Sequence, residues 1–253
     1  MSADAPASPA AARARGPRRG GPDAGQVADR GQDPAITFLL LLPLGLLHLS
    51  AARPEDSGAW SLIERALDRC GAWAAPALGA ALLLALFWAV GRVRDRRLAW
   101  RTGSLAGVIE GLLWGLALGP VLRFATAVLP LESGPLALGE THEQIALAAG
   151  AGLYEELIFR ALLCGAGALL LESLIGLLGW NSIARPLALA VALTASSLIF
   201  AWAHVLGDSQ ALDPEVFAFR ALAGLAFGGI FLLRGLAVAA WSHAGYDSLL
   251  LLA

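Results

Sequence analysis

The stretch GLYEELIFRALL, residues 152–163, sets two carboxylates and a guanidinium inside a run that otherwise reads as membrane-buried helix. A charge at the centre of a bilayer costs about 2.5–3.5 kcal/mol on insertion scales, so such residues persist where they pair or where they do chemistry in a watery cavity. Helical spacing separates the two cases. Glu156 and Arg160 lie four residues apart with the acid first, the favourable orientation for an ion pair along a helix. Glu155 projects roughly 100° away from Glu156 and has no local cation. An unpaired carboxylate in such a place suits general acid–base work near neutral pH. The alternative, that all three only join a polar network between helices, stays open on this stretch alone.

The rest of the chain explains the setting. Its 253 residues are 57% hydrophobic and only 15% charged, with a mean hydropathy of +0.66. Soluble domains carry about a quarter charged residues, so the composition predicts an all-α, polytopic transmembrane helix bundle. A net charge of −2 gives no reason to expect a nucleic-acid partner. Cys70 and Cys164 lack metal-ligand or CxxC spacing, and Cys164 is expected to pack as a small apolar residue.

A span needs roughly 20 apolar residues. Candidate spans are 36–52, 72–91, 104–130, 144–171, 186–206, 216–233 and 235–253, about seven within a range of six to eight. Residues 1–34, rich in Ala, Pro, Gly and Arg without apolar periodicity, are expected to form a disordered tail. Residues 35–103 carry the first two spans, and 104–253 the remaining core. Arginines sit in the tail (Arg13, Arg15, Arg18, Arg19), after span two (Arg92, Arg94, Arg96, Arg97, Arg101), and at Arg185 and Arg234. The opposite loops hold Glu132, Glu140, Glu143, Asp208 and Asp213. The loop after span one is mixed. This asymmetry places the N-terminus inside and favours a bacterial inner membrane.

Two further clusters stand in apolar surroundings. SSLIFAWAHVLG places Phe200 one turn before His204, and AAWSHAGYDSLL places His243 and Asp247 one turn apart on one face of the last span. Each has a plainer reading as a hydrogen-bonded packing pair. Three polar clusters on three spans, however, are placed to converge on one intramembrane cavity. Glu110, seven residues into its span, is a further candidate to line it. Arg123, His48 and Arg220 lie near span ends, where long side chains reach water. GLLWGLALG and ALAGLAFGG read as small-residue packing faces.

In order, EExxxR (Glu155, Glu156, Arg160), FxxxH (Phe200, His204) and HxxxD (His243, Asp247) resemble the CPBP family of CAAX-protease and bacteriocin-processing-like intramembrane proteases, over roughly residues 104–253. The resemblance implies a glutamate-dependent peptidase with no cofactor. In it Glu155 is the catalytic base, His204 its partner in activating water, and His243 with Asp247 the pair that steadies the oxyanion. Glu156 and Arg160 hold the site together. The last motif position is commonly Asn in that family, and here it is Asp247. An ionised carboxylate cannot donate to an oxyanion, so Asp247 is expected to orient His243. The implied substrate is a membrane-embedded or lipid-modified protein, or a small peptide precursor.

Two alternatives carry different chemistry. Glu155, His204 and His243 are also a plausible divalent-metal triad, and a non-catalytic membrane protein that binds or protects a partner would use the same cluster as a cavity. GxSG, GxGD and HExxH patterns are absent, which disfavours the serine, aspartyl and zinc intramembrane proteases. His204 and Asp247 count as nearer the outer face than Glu155, so span four is expected either to begin later than residue 144 or to break at Gly150 and Gly152.

Overall fold

The computed structural model describes residues 33–51, 58–95, 100–125, 141–207 and 213–252. These form helices α1 (Pro34–Leu49), α2 (Gly58–Cys70), α3 (Ala74–Asp95), α4 (Trp100–Ala125) and α5 (Thr141–Gly150), then a π-helical segment (Ala151–Ala166). Helices α6 (Gly167–Leu177), α7 (Asn181–Gly207), α8 (Pro214–Arg234) and α9 (Leu236–Leu252) complete the order. Among the described residues there is no strand.

The helix starts follow from local chemistry. Asp33 caps α1 by accepting from the Ala35 amide at 2.9 Å, with Pro34 in the first turn. Asp213 caps α8 by accepting from Glu215 at 2.8 Å, with Pro214 in the first turn. A short acceptor at the cap and proline at the first helical position are both suited to an end whose amides lack helical partners. Gly235, at φ 89°, is the single residue between α8 and α9. Only glycine adopts that conformation without strain, so the chain reverses there in the least possible length.

Among the described residues five helical stretches have the length and apolarity to cross a membrane: Ala74–Asp95, Leu105–Leu122, Thr141–Leu177, Asn181–Val205 and Pro214–Arg234. The other two expected spans are helical but shorter, α1 with 16 residues and α9 with 17. Three sequence expectations change. The loop after span one contains α2, an amphipathic helix whose Trp60, Ile63 and Leu67 are half-buried while Arg65, Asp68 and Arg69 are exposed. Periodicity in a segment too polar to span a bilayer is its signature. Span four neither begins late nor breaks: it starts at Thr141 and stays helical to Leu177, with Gly150 itself at helical φ −63°, ψ −48°. The expected tail loses its last two residues to the α1 cap, and its residues 1–32 lie outside the described chain, as do Arg96, Arg97, Glu132, Glu140 and Asp208.

Ion pairs show the antiparallel run of the helices. Asp33, at the start of α1, takes three hydrogen bonds at 3.0–3.2 Å from Arg92, near the end of α3. Glu110, in the first half of α4, accepts from Arg234 Nη2 at the end of α8 at 2.7 Å. Both pairs join ends that the arginine pattern places on one side.

Helix α9 sits at the centre, gripped by small residues. A Cβ added at Gly111 would come within 2.6 Å of the Trp241 Cβ, and one at Gly115 within 2.9 Å of the Tyr246 amide nitrogen. Across α9, a Cβ at Gly152 of the π segment would meet the Ala240 carbonyl at 2.6 Å. Lipid supplies no hydrophobic drive between helices, so close backbone approach and dense van der Waals contact hold them. Both sides of α9 use this device, and they fix the height of His243 and Asp247 against Glu155. Gly115→Val should therefore overpack the α4–α9 contact and cost about 1–3 kcal/mol, read as a lower thermal midpoint of the detergent-purified protein.

Candidate active site

The site is built on three elements. The π segment carries Glu155, Glu156 and Arg160; α7 carries Phe200 and His204; α9 carries His243 and Asp247. A π winding is rare and usually confined to single turns near functional sites, whereas here it runs for 16 residues.

Glu156 is the anchor, fully buried at 0% exposure. One oxygen, Oε1, lies 3.0 Å from Arg160 Nη1 and 2.7 Å from His243 Nδ1. Arg160, equally buried, donates through Nη2 to the Gly224 carbonyl at 3.3 Å. Its guanidinium lies over the Phe200 ring at 4.5 Å and the Phe227 ring at 5.5 Å. A buried ion pair survives desolvation only when further hydrogen bonds and good geometry support both charges, and cation–π contact adds to this away from water. The network spans the π segment, α7, α8 and α9 and locks them together around the charge.

His243 is held on several sides. Phe227 stacks on its ring at 4.4 Å with 15° between planes, and Phe200 meets it edge-on at 6.0 Å. With Nδ1 on Glu156, Nε2 is left facing Asp247 Oδ2 at 3.4 Å and Glu155 Oε2 at 3.9 Å. Orientation of the imidazole at Nδ1 thus comes from Glu156, where the sequence pattern pointed to Asp247. The i,i+4 spacing does bring Asp247 to the ring, but on the nitrogen that points toward Glu155.

His204 approaches the same carboxylate from α7. Its Nδ1 lies 2.9 Å from the Phe200 carbonyl oxygen; a carbonyl only accepts, so Nδ1 carries the hydrogen. In the neutral ring Nε2 then keeps its lone pair, and it lies 3.8 Å from Glu155 Oε2. Glu155 is 7% exposed, and among the described residues Oε2 has no hydrogen-bond partner. One free carboxylate oxygen therefore faces two imidazole nitrogens at nearly equal range. Separations beyond about 3.5 Å between polar atoms are those a single water bridges.

All seven sequence-predicted site residues come together, with Glu155, His204, His243 and Asp247 around one small volume and Glu156, Arg160 and Phe200 behind it. Glu110 does not join them. Its carboxylate is engaged by Arg234 and by Trp114, whose Nε1 donates at 3.4 Å, because its face of α4 meets the end of α8. His48, although it stands at a span end, does not reach water; it is 3% exposed. The Arg123 side chain lies outside the described residues. Sequence reasoning misses Phe227, which falls within an apparent packing face. A lone aromatic in the small-residue run ALAGLAFGG is the available signal. Among the described residues no group of three or more His, Cys, Asp or Glu side chains is arranged to hold a metal ion.

Comparison with curated proteins and with solved structures gives no match. Residues 139–249 match the family model of the type II CAAX prenyl endopeptidase, Rce1-like. The matched segment contains every residue of the three-cluster site and excludes α1 to α4. The EExxxR, FxxxH and HxxxD residues all lie inside that segment, which is similar to the Rce1-like type II CAAX prenyl endopeptidase family.

Proposed function

We propose that the protein is an intramembrane endopeptidase that cleaves a membrane-embedded or lipid-anchored protein or peptide precursor with water activated by Glu155 and His204. The observation that carries this reading is Glu155 Oε2, without a hydrogen-bond partner among the described residues, standing 3.8 Å and 3.9 Å from the Nε2 atoms of His204 and His243. A water held there gives its proton to Glu155 while His204 Nε2 accepts a second hydrogen bond from it and aligns the oxygen. The hydroxide adds to the scissile carbonyl carbon. The resulting oxyanion takes a hydrogen bond from His243 Nε2, whose imidazolium charge is flanked by Glu156 and Asp247. Collapse of the adduct breaks the C–N bond, and the proton held by Glu155 passes to the leaving amine. Asp247 serves by balancing and aligning His243, not by donating. The arginine-bearing helix ends face the cytoplasm, in a bacterial inner membrane.

Profiling the termini of membrane proteins in cells with and without the gene tests this without a prior guess at the substrate. Uncut precursors that accumulate only in the deletion identify the substrate; matching profiles sink the reading. Catalysis in this scheme uses no metal. Millimolar EDTA or 1,10-phenanthroline should leave the cleavage rate of such a precursor unchanged, and loss of activity restored by zinc would replace the scheme with the metal triad of Glu155, His204 and His243.

A further inference from the structure

The winding changes from α to π at Ala151, four residues before Glu155. That change alters which amide each carbonyl serves. In an α ladder each carbonyl receives the amide four residues on, and in π winding the amide five residues on; Ala146 lies in the last α turn, whose final residue is Gly150. A side chain that inserts against the ladder is an identifiable cause of local departure from straight α winding.

His48 of α1 sits at this point. Its Nδ1 lies 3.2 Å from the Ala146 carbonyl oxygen, 98 residues away in sequence, and the acceptor-only carbonyl requires the hydrogen on Nδ1. The ring lies directly on Gly150: an added Cβ there would approach its Cε1 to 2.7 Å and overlap Nδ1. Tyr154 and Trp60 hold the ring edge-on at 5.2 Å and 5.7 Å. Gly150, expected to break the helix, instead opens the space that lets an imidazole reach the ladder. Tyr154, clamped by the same ring, is the residue immediately before Glu155.

We infer that His48 is a positioning residue for Glu155 and its neighbour Glu156, a wedge that fixes where α winding gives way to π winding and so the directions of both side chains. Without the ring on Gly150 and its hydrogen bond to the last α turn, the junction shifts along the helix, each residue beyond it turns to a new azimuth, and Glu155 Oε2 leaves the two imidazoles. His48 lies outside the matched segment, so α1 takes part in catalysis through the π segment. The kinetic half of this inference rests on the hydrolytic reading; the geometric half does not.

Two variants of the full chain separate donor from volume. His48→Phe keeps an aromatic ring on Gly150 without the donor, and His48→Asn keeps an amide N–H near the Nδ1 position in a smaller side chain. Cleavage of the accumulated precursor is measured in nanodiscs, together with the 15N chemical shifts of the His243 imidazole, which report its bond to Glu156. The phenylalanine variant should lose about 100-fold in kcat, the scale of a misplacement near 1 Å, with KM little changed and the His243 Nδ1 signal shifted. The asparagine variant should recover most of both. Unchanged His243 signals in a folded His48→Phe protein, or equal losses in the two variants, overturn the wedge. A shifted signal with no cleavage by the wild type leaves the wedge standing and removes the hydrolytic reading. If His48→Phe does not fold, Gly150→Ala, which drives the ring off the carbonyl, takes its place with the same readouts and the same expected losses.

Discussion

Glu155→Gln should reduce cleavage of the precursor by at least about 10³-fold in kcat, within the 10²–10⁴ that a positioned general base contributes, while leaving the thermal midpoint of the purified protein unchanged. Glutamine keeps the volume of the side chain and can still hydrogen-bond, but its amide cannot take a proton from water. Glu155 is the residue for which this separation of activity from stability is sharpest, because Oε2 has no hydrogen-bond partner among the described residues and the ion pair beside it belongs to Glu156. A protein that only binds or shelters a partner through this cluster would tolerate the change. Full cleavage by the glutamine variant would therefore falsify the general-base role, whatever the substrate proves to be.

The second large effect is expected at Arg160, on stability as much as on activity. Removing one member of a buried ion pair leaves the other charge without compensation and costs about 3–5 kcal/mol. Arg160→Met retains much of the apolar stem packed between Phe200 and Phe227 but removes the charge paired with Glu156 and the donor to Gly224. The expected result is a destabilised protein, read as a lower thermal midpoint in detergent, with cleavage lost even below that midpoint because Glu156 no longer holds His243 Nδ1 in place. Adding Glu156→Gln to Arg160→Met should recover most of the stability and none of the activity. The two changes couple because the residues share one contact. If the double variant were as unstable as the single one, the cost would lie in lost packing around the guanidinium and not in the stranded carboxylate.

The chemistry of the residues that meet at the site is legible in the amino-acid order itself. A carboxylate, a guanidinium or an imidazole inside an apolar run is conspicuous because water is absent there, and i,i+4 spacing is a local property of helices that needs no knowledge of neighbours. On that basis Glu156 pairs with Arg160 and His243 with Asp247, and both pairs are in contact. Hydropathy likewise locates the long helices, while the amphipathic α2 escapes because a span-sized window averages away its alternating faces.

What the sequence alone determined is thus local: that the chain is helical and membrane-bound, which side chains carry charge at depth, and which lie one turn apart. Only the tertiary structure decided which nitrogen of His243 meets which carboxylate, since Glu156 is 87 residues away from it and spacing along one helix says nothing about the helix beside it. Packing also decided that Phe227 stacks on that histidine, that Glu110 turns to Arg234, and that His48 is buried on Gly150. The winding of the π segment belongs to the same class. Apolar periodicity barely distinguishes α from π turns, and the change of winding lies where a side chain from α1 meets a glycine that leaves it room.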